Sequence, residues 1–138
     1  MLRQGRNIDS RIKMLEETQE KAYAMVTSAT QKLSETGVHG GPQADAMAEY
    51  VALSEEIVEE ITNLQKMQKA ILLIILKVRK HKLQNVLQLY YIDGLKWQEV
   101  ADLLHYDCRY VLKLHGTALL EVKRILERNP HMLNACGS

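Results

Sequence analysis

Phenylalanine is absent from this chain and tryptophan occurs once. Its core must therefore be built from aliphatic side chains. Proline occurs twice and alternating β-branched stretches are scarce, so little in the chain breaks helices and little favours strands. Both scarcities predict an all-α protein. Cysteine also occurs only twice, as Cys108 and Cys136. Two isolated thiols make no disulfide framework and suit a reducing cytoplasm. Long apolar runs are missing as well. The longest, Ala70-Ile71-Leu72-Leu73-Ile74-Ile75-Leu76, falls far short of the ~20 residues of a membrane span. The opening Met1 to Lys13 holds basic residues but no apolar segment of a secretory signal. These absences predict a cytoplasmic protein with no membrane partner.

Catalytic chemistry finds no support either. Gly37, Gly40 and Gly41 do not follow a strand and form no phosphate loop. The acidic pairs Glu16-Glu17, Glu55-Glu56 and Glu59-Glu60 lie mostly off the helical seams described below and read as solvated faces. No nucleophile has a base beside it by local spacing. His105, Cys108 and His115 lack the fourth ligand and the spacing of a zinc site. We expect a protein that is not an enzyme, with no cofactor and no metal.

What is present is an ordinary globular composition over 138 residues, 46% hydrophobic and 25% charged, enough for one compact domain or a small domain with an extension. The net charge of +1 hides an asymmetry. Residues 1–76 hold 8 Lys/Arg against 11 Asp/Glu, and residues 77–138 hold 10 against 6. The C-terminal half is the basic one, as a phosphate-binding module requires.

Heptad spacing organises the N-terminal half. Ile8, Ile12, Leu15, Gln19, Ala22, Val26, Ala29 and Leu33 recur at alternating intervals of 4 and 3, which predicts a long helix with one apolar seam. Ser34 to Gln43, with three glycines and Pro42, reads as a connector. Met47, Tyr50, Ser54, Ile57, Ile61, Leu64, Gln68, Ile71, Ile75 and Val78 repeat the pattern over a second helix from about Ala44 to Lys80. A short connector favours an antiparallel hairpin. Gln19, Ser54 and Gln68 are polar at seam positions. They either fix register or mark where the seam meets water. The run Ala70–Leu76 is apolar all round and predicts neighbours on every side, supplied by the C-terminal bundle, another subunit or both. Met1 to Asn7 has no periodicity and reads as a frayed terminus or as a DNA-contacting arm. Lys77, Arg79, Lys80, His81 and Lys82 read as a solvated helix end or as phosphate contacts.

Three short helices follow. Leu87, Leu89 and Tyr90 lie on the first, and Asp93-Gly94 stops it. Trp97, Val100, Ala101 and Leu104 mark the second, where Trp97 reads as core or rim. After His105-Tyr106-Asp107, with Asp107 as a cap, the third has Val111, Leu114 and Ala118 facing inward and runs to about Arg128, where Asn129-Pro130 ends it. A short helix, a three-residue turn and a second helix make a helix-turn-helix. The whole divides into a helical hairpin and oligomerisation region over 1–80, a helix-turn-helix DNA-binding domain over 81–128 and a flexible tail over 129–138.

This stretch resembles the fourth region of sigma-70-type factors. The resemblance rests on Leu89, Tyr91-Ile92-Asp93-Gly94-Leu95, Trp97, Glu99, Val100-Ala101, Leu104, Val111 and Ala118-Leu119, and covers about Ala70 to Leu120. With Trp97 and His115-Gly116-x-Ala118-Leu119 it is most similar to phage and prophage regulators of the late-operon activator type. It implies a sequence-specific DNA-binding regulator in a bacterial host, with double-stranded DNA and host RNA polymerase as partners. It also aligns Cys108, Arg109, Leu112 and Lys113 with a base-contacting face. Arg109 and Lys113 suit base edges or phosphates. Cys108 and Leu112 are poor hydrogen-bonding groups, so they would touch a thymine methyl or a protein. Lys96, Gln98, Tyr110, Thr117 and Lys123 are candidates for phosphate contact. Gly116, inside a helix, implies close approach to another helix or to DNA. Ile57, Ile61, Leu64, Ile71 and Ile75 are candidates for a homo-oligomer contact, most simply a dimer whose paired heads read repeated half-sites. Two other readings stay open: a sigma-like module that binds RNA polymerase or another regulator, and a small-terminase-like DNA-packaging subunit, which also joins a helix-turn-helix to a helical oligomerisation region.

Overall fold

The computed structural model describes residues 2–36 and 42–132, with side chains over 2–28 and 45–132. Every regular element among them is helical. A 3₁₀ turn (Leu2–Gly5) precedes α1 (Ile8–Thr36) and α2 (Pro42–Leu76). The next helix, α3 (His81–Leu87), runs on through a π-helical turn (Gln88–Ile92), and α4 (Trp97–Leu104) and α5 (Cys108–Arg128) follow. The expected connector glycines, Gly37, Gly40 and Gly41, lie outside the described residues. Pro42 belongs to α2 as its first residue, a position where the missing N–H would have had no partner anyway. Two compact units result: Ser10–Asn63, and Met1–Asp9 together with Leu64–Ser138.

In the unit Ser10–Asn63 the seam positions Ile12, Leu15, Gln19, Ala22 and Val26 are half-buried between mostly exposed neighbours. Arg11 pairs with Glu60 at 3.8 Å, Gln19 Nε2 donates to Ser54 Oγ at 2.6 Å, and the Tyr23 and Tyr50 rings lie 5.7 Å apart. Partners on α2 descend as residues on α1 ascend, so the two helices run antiparallel here. The polar seam residues Gln19 and Ser54 thus meet each other, and a slip of register would separate them. Among the described side chains of this unit, Ile57 is the single hydrophobic one in the core. Met14, Tyr23, Met25, Met47, Val51 and Val58 stand exposed.

The other unit holds nearly all of the core. Ile71, Ile74, Ile75, Val78, Val86, Leu87, Val100, Ala101, Val111 and Ala118 are each 0% exposed. Within the single chain the segment Ala70–Leu76 is covered on one side, while Leu73 and Leu76 remain open at 47% and 55%. Its helix also ends at Leu76 rather than Lys80. The side-chain amide of Gln84 donates to the carbonyls of Leu76 and Val78, satisfying acceptors that the helix end leaves open.

Two further expectations change. The opening residues are not frayed: Leu2 and Ile8 are buried at 6% and 2%. Between them, a Cβ on Gly5 would lie 2.8 Å from Ile71 Cδ1 and 3.3 Å from the Tyr91 carbonyl oxygen, so any larger residue there requires the Ile71 side chain to shift. At the other end Met132 is buried and its N–H donates to the Asn129 carbonyl at 3.0 Å. A loose tail therefore does not begin at residue 129, and residues 133–138 of that expected tail lie outside the described ones.

Candidate nucleic-acid interface

The end of the π-helical turn is where the N-terminal segment docks. A wider turn leaves carbonyls without the usual helical donors. Asp93 N–H closes the turn onto the Gln88 carbonyl at 3.0 Å, and Gly94, at φ 73°, leaves in the left-handed conformation. Arg6 takes what remains. Its guanidinium donates to the carbonyls of Tyr90 at 2.7 Å and Leu95 at 3.1 Å, and lies 3.8 Å from the centre of the Tyr90 ring. Trp97 stacks on the same ring at 3.7 Å and 9°, so Tyr90 is held between the guanidinium and the indole. His115 of α5 lies 4.5 Å from Trp97 and its Nε2 is 2.7 Å from the Tyr91 hydroxyl.

Burial raises the Tyr91 phenol above its ordinary value of 10.0, with the neighbouring Tyr90 adding to it and Arg3 and Arg6 opposing. Burial lowers the His115 imidazole below 6.5. At neutral pH the phenol is protonated and the imidazole neutral, so the two share one hydrogen bond whose direction the imidazole tautomer sets. This ladder from Arg6 through Tyr90 and Trp97 to His115 fixes α4 against α5. Trp97 is thereby a packing residue.

Between these two helices, His105 adopts φ 61° and ψ 41°. Its N–H donates to the Asp102 carbonyl and the Tyr106 N–H to the Ala101 carbonyl, the paired bonds of a Schellman end. At the start of α4 the Lys96 N–H donates to Glu99 Oε1 at 3.0 Å. Asp107 stands at the N-cap of α5 in an extended conformation and accepts backbone bonds from Tyr110 and Val111. Its side chain, expected to cap the helix, makes no such bond. Val86, Val100, Ala101 and Val111 form the core of this region, with Leu89, Leu95, Trp97, Leu104, Tyr106, Cys108 and Leu114 packed against them.

The candidate contact residues separate into groups. Arg109, Leu112 and Lys113 are exposed on the outer face of α5. Cys108, expected beside them, is half-buried against the core, because it lies about 100° around the helix from Arg109. Lys96 and Lys123 are exposed. Gln98 donates its amide to Asp102 at 2.9 Å, Thr117 turns its hydroxyl onto the Lys113 carbonyl at 3.2 Å, and Tyr110 meets the Tyr106 ring edge-on at 5.0 Å. No atom outside its own helix backbone lies within 4 Å of where a Gly116 Cβ would stand, so no packing within the described chain accounts for that glycine. Leu112, Leu119 and Leu120 are exposed around it.

The oligomerisation candidates lie elsewhere than expected. Ile71 and Ile75 are 0% exposed and Ile57 and Leu64 are buried, so the chain covers these four itself, while Ile61 is half-buried. Arg6, in contrast, was not legible as a structural residue. The signal available was the spacing of three between Leu2, Gly5 and Ile8, the repeat of a 3₁₀ turn.

Division by folded unit sharpens the charge asymmetry. Ser10–Asn63 carries 4 Lys/Arg against 10 Asp/Glu, a net −6; the remaining residues carry 14 against 7, a net +7. No family model, curated protein or solved structure matches the chain. Among the described residues no group of His, Cys, Asp and Glu could hold a metal ion, and no helix is long and apolar enough to cross a membrane.

Proposed function

We propose that the chain is a sequence-specific DNA-binding transcriptional regulator of phage or prophage type. In this reading α4 and α5 form a sigma-region-4-like helix-turn-helix, α5 lies in the major groove, and α1 with α2 forms a hairpin that joins two copies. Activation of late genes is the role that the resemblance favours. The observation that carries the reading is the concentration of positive charge, net +7, on the unit whose α5 presents Arg109 and Lys113 outward. Among the described residues neither side chain has an acidic partner. Gly116 adds support: it costs about 1 kcal/mol relative to alanine inside a helix and meets nothing in its own chain, as expected where a DNA backbone passes close by.

A second reading has its own observation. Leu112, Leu119 and Leu120 are exposed at 46%, 37% and 59% on α5, an apolar face that suits RNA polymerase or another regulator.

Fluorescence anisotropy separates the two. A labelled duplex from the region flanking the protein's own gene and the late operon is compared with a scrambled duplex at two salt concentrations. Preference of the wild type for the native duplex, lost in Arg109→Ala/Lys113→Ala, is the expected result. Equal and steeply salt-dependent binding to both duplexes would reduce the interaction to phosphate attraction. Absence of binding to either would favour the protein-binding reading.

A further inference from the structure

The basic run at residues 77–82 is divided by the fold. The Lys82 ammonium lies 5.9 Å from the Tyr106 ring. Arg79 and Lys80 instead line a cleft of about 410 Å³ with Thr117, Glu121, Arg124 and Arg128 of α5. Four cations surround this space with one carboxylate among them, and that carboxylate is engaged: Glu121 Oε2 lies 3.7 Å from Arg124 Nη1. Among the described residues Arg79, Lys80 and Arg128 have no acidic partner. Like charges that line one cleft make it favourable for an anion. Three of the four are arginines, whose planar forks match phosphate oxygens.

We propose that this cleft is a second DNA-phosphate site, which holds the backbone strand bordering the groove that the first turns of α5 enter. The proposal rests on the DNA-binding reading and extends it to residues outside the helix-turn-helix face. Helix geometry supports the placement. Arg124 lies 15 positions after Arg109 and about 60° around the axis, hence on the same side of α5 and ~22 Å further along. The major groove is ~12 Å wide. A helix whose first turn stands over base edges therefore carries its fourth and fifth turns beyond the groove, over the flanking backbone. Arg79 and Lys80 approach the same spot from the start of α3, which makes the site a product of the fold and not of one helix.

The test uses the full chain and the same two duplexes, with affinity measured across a salt series. Three proteins are compared with wild type: the cleft variant Arg79→Gln/Lys80→Gln/Arg124→Gln/Arg128→Gln, the milder Arg124→Gln/Arg128→Gln, and a control that removes equal charge elsewhere, Lys13→Gln/Lys21→Gln/Lys66→Gln/Lys69→Gln. Thermal melts by circular dichroism establish that each is folded, and the milder pair stands in if the quadruple variant is not. We expect the cleft variants to lose affinity for both duplexes alike and to keep the native preference. Their slope of log K against log salt becomes shallower by about 1 to 2, since each phosphate contact contributes about 0.9. The control keeps the wild-type slope. Cleft variants indistinguishable from the control would overturn the proposal and leave the DNA-binding reading standing. No binding by wild type would overturn both. Calorimetry with pyrophosphate adds a further outcome: binding that needs the four cations while duplex affinity does not would make this a small-anion site, against the proposal.

Discussion

Arg6 ties the N-terminal segment to the helical region carrying α4 and α5 by hydrogen bonds to two backbone carbonyls. Hydrogen bonds from a charged donor are worth about 1.5–3 kcal/mol each when made inside a protein, and the Arg6 guanidinium is half-buried between two carbonyls and a ring. Arg6→Ala should destabilise the protein by about 2 kcal/mol, and Arg6→Lys should recover a minor part because an ammonium has no fork to bridge two acceptors. Urea midpoints for the three proteins measure both effects. His115 makes a pH prediction. Its imidazole is held below 6.5 by burial, so between the folded value and 6.5 the unfolded chain binds more protons than the folded one. Stability is then fully present above pH 6.5 and declines as pH falls through that window. In His115→Gln this contribution to the decline should vanish, which urea midpoints at pH 7.5 and 5.5 would reveal.

At the scale of elements, the turn between α4 and α5 is the most informative. Its place and length were legible in the spacing of Trp97, Val100, Ala101 and Leu104, because a short amphipathic helix must stop where its apolar period stops. That His105 would hold a positive φ was not legible, since this position ordinarily belongs to glycine or asparagine. A left-handed conformation costs a non-glycine residue roughly 1–2 kcal/mol. His105→Gly should therefore raise stability by about 0.5–1 kcal/mol with DNA affinity unchanged; an unchanged melting temperature would contradict it. The inward residues Val111 and Ala118 were legible from the helical period in the same way. Cys108 was not: it lies at the edge of the buried arc, where one step of helix rotation decides between core and surface. Nor were Arg6 and the cleft lined by Arg79, Lys80, Arg124 and Arg128, because each joins segments far apart in sequence and no local pattern records the meeting.

For the whole molecule, the seam spacing identified two long helices but left open what covers them. Of the residues assigned to a subunit contact, Ile57, Leu64, Ile71 and Ile75 are covered within the chain and Ile61 is half-buried. Among the described side chains of Ser10–Asn63 that stay exposed, Met47, Val51 and Val58 on α2 form another stripe, recurring within about 40° of one another around the axis. With Ile57 alone buried among its described hydrophobic side chains, this unit leaves apolar surface that a second copy would cover. Val51→Glu/Val58→Glu should shift sedimentation from dimer to monomer without loss of helix content. A wild type that sediments as a monomer at tens of micromolar would refute the dimer.

The Arg6 contacts also impose an order in time. They join residues 84 and 89 positions apart. On the ribosome, at about 5–20 residues per second, Arg6 waits roughly 4 to 18 s after its own synthesis before Tyr90 and Leu95 are made. Throughout that interval the nascent chain consists mainly of its acidic portion. The basic unit can close only after most of the chain has been translated, so the growing polypeptide spends its early life as an anion and acquires its excess of positive charge near the end of synthesis.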